Sequence, residues 1–263
     1  MTSPTHLALK AGAILRDRHR ITRVLHKLYV LRDRLTPSSK PTSNPLPAST
    51  LRRELGRLIR LESPVDNGIF AEIEYQIKQS RLSHANQGSL IAPQHDGSPT
   101  LGKLCYLAAR ALHPNIIVET GVAHGVTSTY ILRALSDNGH GTLHSIDLPP
   151  IADADGDTVG TLIPTSHYNR WCLHLGPSQT KLPLVLEEAG RVDLFVHDSL
   201  HTHRHMKWEF RTVLNHMRRG MIIADDVHGN SAFEELTRDS RCSGWLVFEQ
   251  EKKDGLCGVA VIE

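Results

Sequence analysis

Aromatic residues are scarce in this sequence: five Phe, five Tyr and three Trp make up 5% of 263 residues. So few stacking platforms, with no RNA-binding motif beside them, argue against nucleic acid as a partner. Cysteine is scarce as well. Cys105, Cys172, Cys242 and Cys257 form no CxxC pair and no close framework, which excludes a disulfide scaffold and points to free thiols in a reducing cytoplasm. No apolar run approaches the roughly 20 residues that a membrane span requires. The opening MTSPTHLALKAGAILRDRHR interrupts its short apolar run at Lys10 and continues with charges, which reads against a secretory signal. Neither GxGxxG nor GKS/T occurs after a strand pattern, so a dinucleotide fingerprint and a P-loop are both unmet.

Charge is present in both signs but divided along the chain. Residues 1–60 hold 13 Lys and Arg against Asp17, Asp33 and Glu54, whereas the other 203 residues hold 17 against 25 acids. A basic arm of this kind suits an anionic surface, the acidic body of a second copy, or plain solvation. Apolar residues at Ile14, Ile21, Leu25, Leu28 and Leu35 predict one long amphipathic helix over 7–35, through which a homo-oligomer could form. The Pro- and Ser-rich segment 36–50 reads as a linker, so 1–50 form an arm, and helical patterns over 51–112 form a cap.

From residue 113 to 263, short apolar runs alternate with helix-length segments. The runs cover 115–120, 141–147, 170–176, 192–198, 221–226, 245–250 and 258–263. Five strands separated by helices predict βαβ units, and the last two runs predict a hairpin. The expected fold is α/β: a Rossmann-like, seven-stranded, mostly parallel sheet with an antiparallel C-terminal hairpin and a helical N-terminal extension.

The first strand runs into ETGVAHGVTS, where Gly121 and Gly125 allow close backbone approach ahead of a helix N-terminus. Asp147 ends the second strand, where an acid can accept ribose hydroxyls. Together with SID, VDLFVHDSLH and RRGMIIADDV, this loop resembles the class I S-adenosylmethionine-dependent methyltransferases. Within that class it is most similar to the metal-dependent O-methyltransferases of the catechol and macrolide-sugar type, over roughly residues 100–263. The resemblance implies that Glu119, Gly121 and Gly125 line the methionine end of S-adenosylmethionine, with Ser128 at the helix start and Asp147 on the ribose. Ala123 stands where the wider class commonly has glycine.

Asp198 closes the fourth strand, and Asp225 and Asp226 close the fifth. Three carboxylates in one crevice repel each other unless a cation intervenes, and magnesium takes such oxygen ligands. The resemblance places Mg2+ at these three positions; the alternative is that Asp225 or Asp226 caps a turn. His201, three residues beyond Asp198, matches the base of the sugar-modifying relatives. A zinc site from His197, His201 and His205 would require one continuous helix, and His203 and His205 read as ordinary helix residues. His144 reads as a satisfied core residue. The long segment 149–170 suggests a lid, with His167 and Tyr168 as substrate contacts and His124 as a third; its aspartates do not match a calcium loop. The sequence thus implies a cytoplasmic, Mg2+-dependent S-adenosylmethionine O-methyltransferase acting on a small-molecule or oligosaccharide acceptor. A sugar hydroxyl is preferred, because the DxxH pairing resembles the sugar enzymes and the motifs are similar to those of enzymes methylating mannose units of methylmannose polysaccharides. A natural-product phenol or hydroxyl is the alternative acceptor, and a non-catalytic binding domain with a basic arm the alternative class.

Overall fold

A computed structural model describes residues 20–35, 39, 41, 44–59, 68–84, 95–153 and 155–263. Residues 7–19 of the expected long helix, and parts of the expected linker and of the loop 86–99, lie outside these. Helix α1 spans 20–34; α2 (Leu51–Ile59), α3 (Gly68–His84) and α4 (Pro99–Leu112) follow. Ser98 caps α4, its hydroxyl accepting from Leu101 N at 3.1 Å, with Pro99 at the first helical position.

Strands β1 (Ile116–Thr120), β2 (Thr142–Asp147), β3 (Trp171–Leu175), β4 (Leu194–His197) and β5 (Gly220–Ala224) alternate with α5 (Val126–Asn138), α6 (Ser178–Ala189) and α7 (His203–Leu214). Helix α8 (Ala232–Thr237) precedes β6 (Cys242–Glu249) and β7 (Leu256–Ile262). The sheet order is β3-β2-β1-β4-β5-β7-β6. The expected seven-stranded, mostly parallel sheet is therefore present, with one refinement: β7 lies between β5 and β6 and pairs antiparallel with both. The edge left on β6 meets Leu46, whose N–H donates to Val247 O at 2.8 Å and whose carbonyl accepts from Glu249 N at 2.9 Å. This contact covers part of an otherwise unpaired edge.

Strand alternation sorts the core into two layers. Ile117, Leu194, Val196, Met221 and Ile223 face the layer of α2, α3, α4 and α5, packing with Leu55, Ile73, Leu104 and Ile131. Val118, Phe195, Ile222 and Ala224 face the layer of α6, α7 and α8, with Leu182, Phe210 and Phe233. Helices α2, α3 and α4 thus share one core with the sheet. The same alternation decides the site: Glu119 falls on the α5 side, and Thr120 and His197 on the α7 side.

The strand order reverses at β1, between β2 and β4, so a crevice opens at the C-terminal ends of these strands. Phe195 is wholly buried in the centre of that arrangement. Phe195→Ala should lower unfolding free energy by about 3–5 kcal/mol, measured by urea denaturation.

Candidate active site

The turn after β1 is built on positive φ angles at Gly121 (84°), Ala123 (49°) and Gly125 (89°). Gly121 N donates to Ile146 O at 2.9 Å, and Asp198 N donates to Thr120 O at 2.8 Å, so the turns after β1 and β4 are pressed together. A Cβ at Gly121 would lie 1.9 Å from the Asp198 carbonyl oxygen. Glycine is therefore required there by the neighbouring backbone as well as by φ. Ala123 holds the left-handed region without a glycine.

A cavity of about 580 Å³ lies at this crevice, lined by Gly121, Val122, Ala123 and Asp147 on one side and by Asp198, His201, Asp226 and Lys253 on the other. The Asp147 carboxylate edges it while accepting from Val122 N at 3.0 Å and Ala123 N at 2.8 Å. Burial, opposed by those backbone donors, raises its pKa.

The expected cofactor residues divide. Gly121 and Asp147 line the cavity; Glu119, Ser128 and Gly125 do not. Glu119 is fully buried beneath the turn, accepting from Ser128 Oγ at 2.7 Å and Ser145 Oγ at 2.8 Å. Burial pushes its pKa up to about 7 against those two hydrogen bonds. Gly125 caps α5 and abuts Gly160 and Ile163. These three residues brace the turn from behind the cavity lining.

The expected substrate residues are also elsewhere. His124 is buried with Nδ1 2.8 Å from Asp96 Oδ1. His167 and Tyr168 sit in a short 3-10 helix, Tyr168 against Trp171, and neither lines the cavity. Only the start of the expected lid, Pro149 and Pro150, reaches the cavity. The rest packs beside the turn: Gly160 N donates to Ala123 O and Leu162 N to His124 O, both at 2.9 Å, burying Val159, Leu162 and Ile163. Asp153 accepts from the backbone of Asp157 and Thr158, forming a local turn rather than an ion loop.

At the ends of β4 and β5, Asp198, His201 and Asp225 bring one donor atom each within 4.8 Å of one another. Asp226 stands beside this group: its Oδ2 is 3.2 Å from His201 Nδ1, while His201 Nε2 lies 3.6 Å from Asp198 Oδ1. Sequence reasoning did not identify two further members. Lys253 Nζ, from the β6–β7 hairpin, is 2.7 Å from Asp225 Oδ2 and 3.7 Å from Asp226 Oδ1, and Gln250 Nε2 donates to Asp225 Oδ1 at 2.5 Å. Burial would raise Asp225, but Lys253 and then His201 hold it below the usual range. Burial and then Asp225 push Asp198 well above it. Three carboxylates thus share one ammonium, and His201 Nε2 and Asp226 Oδ1 are buried without hydrogen-bond partners among the described residues. This donor set fits a divalent cation.

The remaining histidines resolve individually. His197 Nδ1 contacts Glu209 Oε2 at 2.7 Å and His205 Nε2 contacts Glu209 Oε1 at 2.8 Å, in a buried network joined by Thr120 Oγ1. Burial would raise Glu209, but His205 and His197 hold it well below the carboxylate range. His205, read from sequence as a helix residue, lies in α7, where it is buried and lines the cavity because α7 starts at the crevice. His203 pairs with Glu235 on the surface side of α7, and half-buried His144 pairs with His174 at 3.2 Å. From the other side, Arg23 and His26 of α1 line the same cavity.

Known proteins resemble this chain over part of its sequence and in its fold. Residues 118–227 match the family model of a methyltransferase domain. The methyltransferase match runs from β1 past β5, taking in Gly121, Asp147, Asp198, Asp225 and Asp226. Among solved structures, an O-methyltransferase from Bacillus cereus in complex with SAH has a TM-score of 0.55 at 18% identity, covering 82% of this chain and 100% of that one. The O-methyltransferase TomG of Streptomyces achromogenes, involved in tomaymycin synthesis and bound to SAM, has a TM-score of 0.55 at 18% identity over 78% and 94%. SAH-bound PaMTH1 from Podospora anserina has 0.51 at 15% identity over 85% and 100%. No curated protein matches the chain. The fold is that of these Rossmann-like methyltransferases.

Two outcomes test the turn. Gly121→Ala should cost more than the about 1–2 kcal/mol of a left-handed L-residue alone, because Asp198 must also move, whereas Ala123→Gly should leave stability unchanged or higher; urea titrations compare the two. The folded chain keeps the Glu119 proton where the unfolded chain has lost it, so stability should fall as pH rises from about 4.5 to about 7. Glu119→Gln has no proton to lose and should flatten that part of the thermal stability profile.

Proposed function

We propose that the chain transfers a methyl group from S-adenosylmethionine to an acceptor hydroxyl, assisted by a divalent cation, with magnesium the expected ion. The observation that carries this reading is the juxtaposition, in one cavity at the strand-order reversal, of Asp147 with Asp198, His201 and Asp226, and with Asp225 buried directly behind them. Asp147 and the turn at Gly121–Ala123 bind and orient the sulfonium donor through its ribose. Asp198 and Asp225 would hold the cation, and Asp226 orients His201. Bound there, a divalent cation lowers the pKa of a hydroxyl on it.

A sulfonium methyl is already activated, so the remaining tasks are alignment and removal of the hydroxyl proton. With Nδ1 held by Asp226, the neutral His201 ring presents Nε2 to the cluster. Burial and then His197 lower its pKa to about 3, so the ring is neutral and its lone pair free, but so weak a base would accept the proton only from a hydroxyl already acidified by the cation. That lone pair supports two roles: proton acceptor, the reading preferred here, or cation ligand, favoured by its place in the three-residue cluster.

For the acceptor, the cavity lining supports a polar polyol over a flat phenol. Beside apolar Val122, Ile146, Leu148 and Leu200, the polar side chains of Arg23, His26, His95, Ser178 and His205 line it, and among the described residues no Phe, Tyr or Trp does. Such walls offer hydrogen bonds and no aromatic platform for a ring to stack on. A sugar hydroxyl, including a mannoside of a methylated polysaccharide, is therefore the proposed acceptor.

Calorimetry should show S-adenosylmethionine binding that Asp147→Ala abolishes. Methyl transfer to mannosides should stop with chelator and return with magnesium; failure to bind the donor at millimolar concentration, or full activity in chelator, would overturn the corresponding part. His201→Ala should lower kcat by about 10²–10⁴ as a lost base. A raised magnesium requirement with kcat restored at high magnesium would instead make His201 a ligand.

A further inference from the structure

The four residues ahead of α4 are each engaged with the site or its frame. His95 lines the cavity and Ser98 caps α4, and between them Gly97 is pressed against the carboxylate cluster, where a Cβ would meet Thr127 Oγ1 and lie 3.3 Å from Asp198 Oδ2. Asp96 is buried, its side chain 5% exposed. Arg81 Nη2 of α3 donates to its Oδ2 at 2.6 Å, while His124 Nδ1 lies 2.8 Å from Oδ1 and His124 N donates to the same oxygen at 3.3 Å. A carboxylate paired with arginine accepts, so His124 supplies it with a ring N–H and a backbone N–H together.

The place of His124 in the turn after β1 gives this contact its consequence. Val122 N and Ala123 N donate to Asp147 Oδ2 at 3.0 and 2.8 Å, and the next amide in line, His124 N, donates to Asp96 Oδ1. Three successive amides are thus taken by two carboxylates, one from the end of β2 and one from the segment before α4, as anions are taken by a backbone nest. Together they hold Ala123 at φ 49°, a conformation that costs an L-residue about 1–2 kcal/mol, in the cavity wall. Asp147 lines the cavity and is open to a ligand, whereas Asp96 does not line it and holds the turn from behind. Arg81 fixes Asp96 in turn, through a side chain 42% exposed.

We propose that Asp96 is a positioning residue for the sulfonium donor: by holding His124 it fixes the turn on which the donor is seated, and through its chain neighbours it sets His95 in the cavity wall and the Gly97 backbone against Asp198. Arg81 serves this by pairing with the carboxylate. His124, expected from the sequence as a substrate contact, acts instead from behind the wall. The proposal rests on the methyltransferase reading of this turn.

The test is donor affinity, measured by calorimetry with S-adenosylmethionine on the full chain, beside the thermal midpoint of each variant. Asp96→Ala should raise the donor dissociation constant by about tenfold or more, the scale of one lost charge-assisted hydrogen bond. Asp96→Asn, whose amide oxygen can still accept from His124 N, should recover most of that loss. Arg81→Ala, at an exposed position, should raise the constant by about threefold while the circular dichroism spectrum stays native. An Asp96→Ala chain that melts lower yet binds the donor as the wild type does would make the carboxylate a structural staple and overturn the proposal, as would a loss confined to the KM of the acceptor. Should Asp96→Ala fail to fold, Arg81→Ala decides alone, and an unchanged donor affinity there overturns the proposal. A wild type that binds no donor at millimolar concentration overturns the methyltransferase reading itself, an outcome distinct from donor binding that the variants leave unchanged.

Discussion

The site is organised around uncompensated negative charge. Asp198, Asp225 and Asp226 converge at the ends of two adjacent strands, and Lys253 is the ammonium among them. Burial makes such a cluster costly unless each charge is paired or neutralised. Its response is visible in opposite directions: the carboxylate touching Lys253 is held low, and Asp198 is driven up. The β6–β7 hairpin therefore does more than close the sheet, since it delivers Lys253 and Gln250 to the crevice that β4 and β5 open.

A second buried charge supports the first from behind. Glu209 reaches from α7 to the strand ends, where His197, His205 and Thr120 satisfy it. Ser199 adds a hydrogen bond to Glu209 at 3.1 Å, tying the turn that carries Asp198 to the same network. The histidine-rich stretch 197–205 thus serves three separate tasks: His201 faces the carboxylates, His197 and His205 anchor Glu209, and His203 pairs on the surface.

Much of the sheet was legible because strand and helix periods are local properties of the chain. The acids at strand ends were legible for the same reason, since a doubly wound sheet places such positions at one edge. Strand alternation fixes which face Glu119 takes, but its place beneath the turn, with Ser128 and Ser145 on its carboxylate, depends on the neighbouring strands. His124, His167 and Tyr168, expected as substrate contacts, stand apart from the cavity lining because the path of a long connection is set by the surface it packs on. Lys253, Gln250, Arg23 and His26 gave no local signal at all: each reaches the site from an element distant in sequence.

By itself the sequence determined the α/β class and the glycine turn after the first strand, and it set three aspartates and His201 at or just beyond strand ends, because each is encoded in spacing within a few residues. Only the tertiary structure decided that Asp226 holds His201 while Asp225 faces Lys253, that Glu119 braces the turn from below, and that Arg23 and His26 of α1 reach the cavity. Those outcomes depend on which surfaces meet, and contacts between residues remote in sequence are set by the packing of the whole chain.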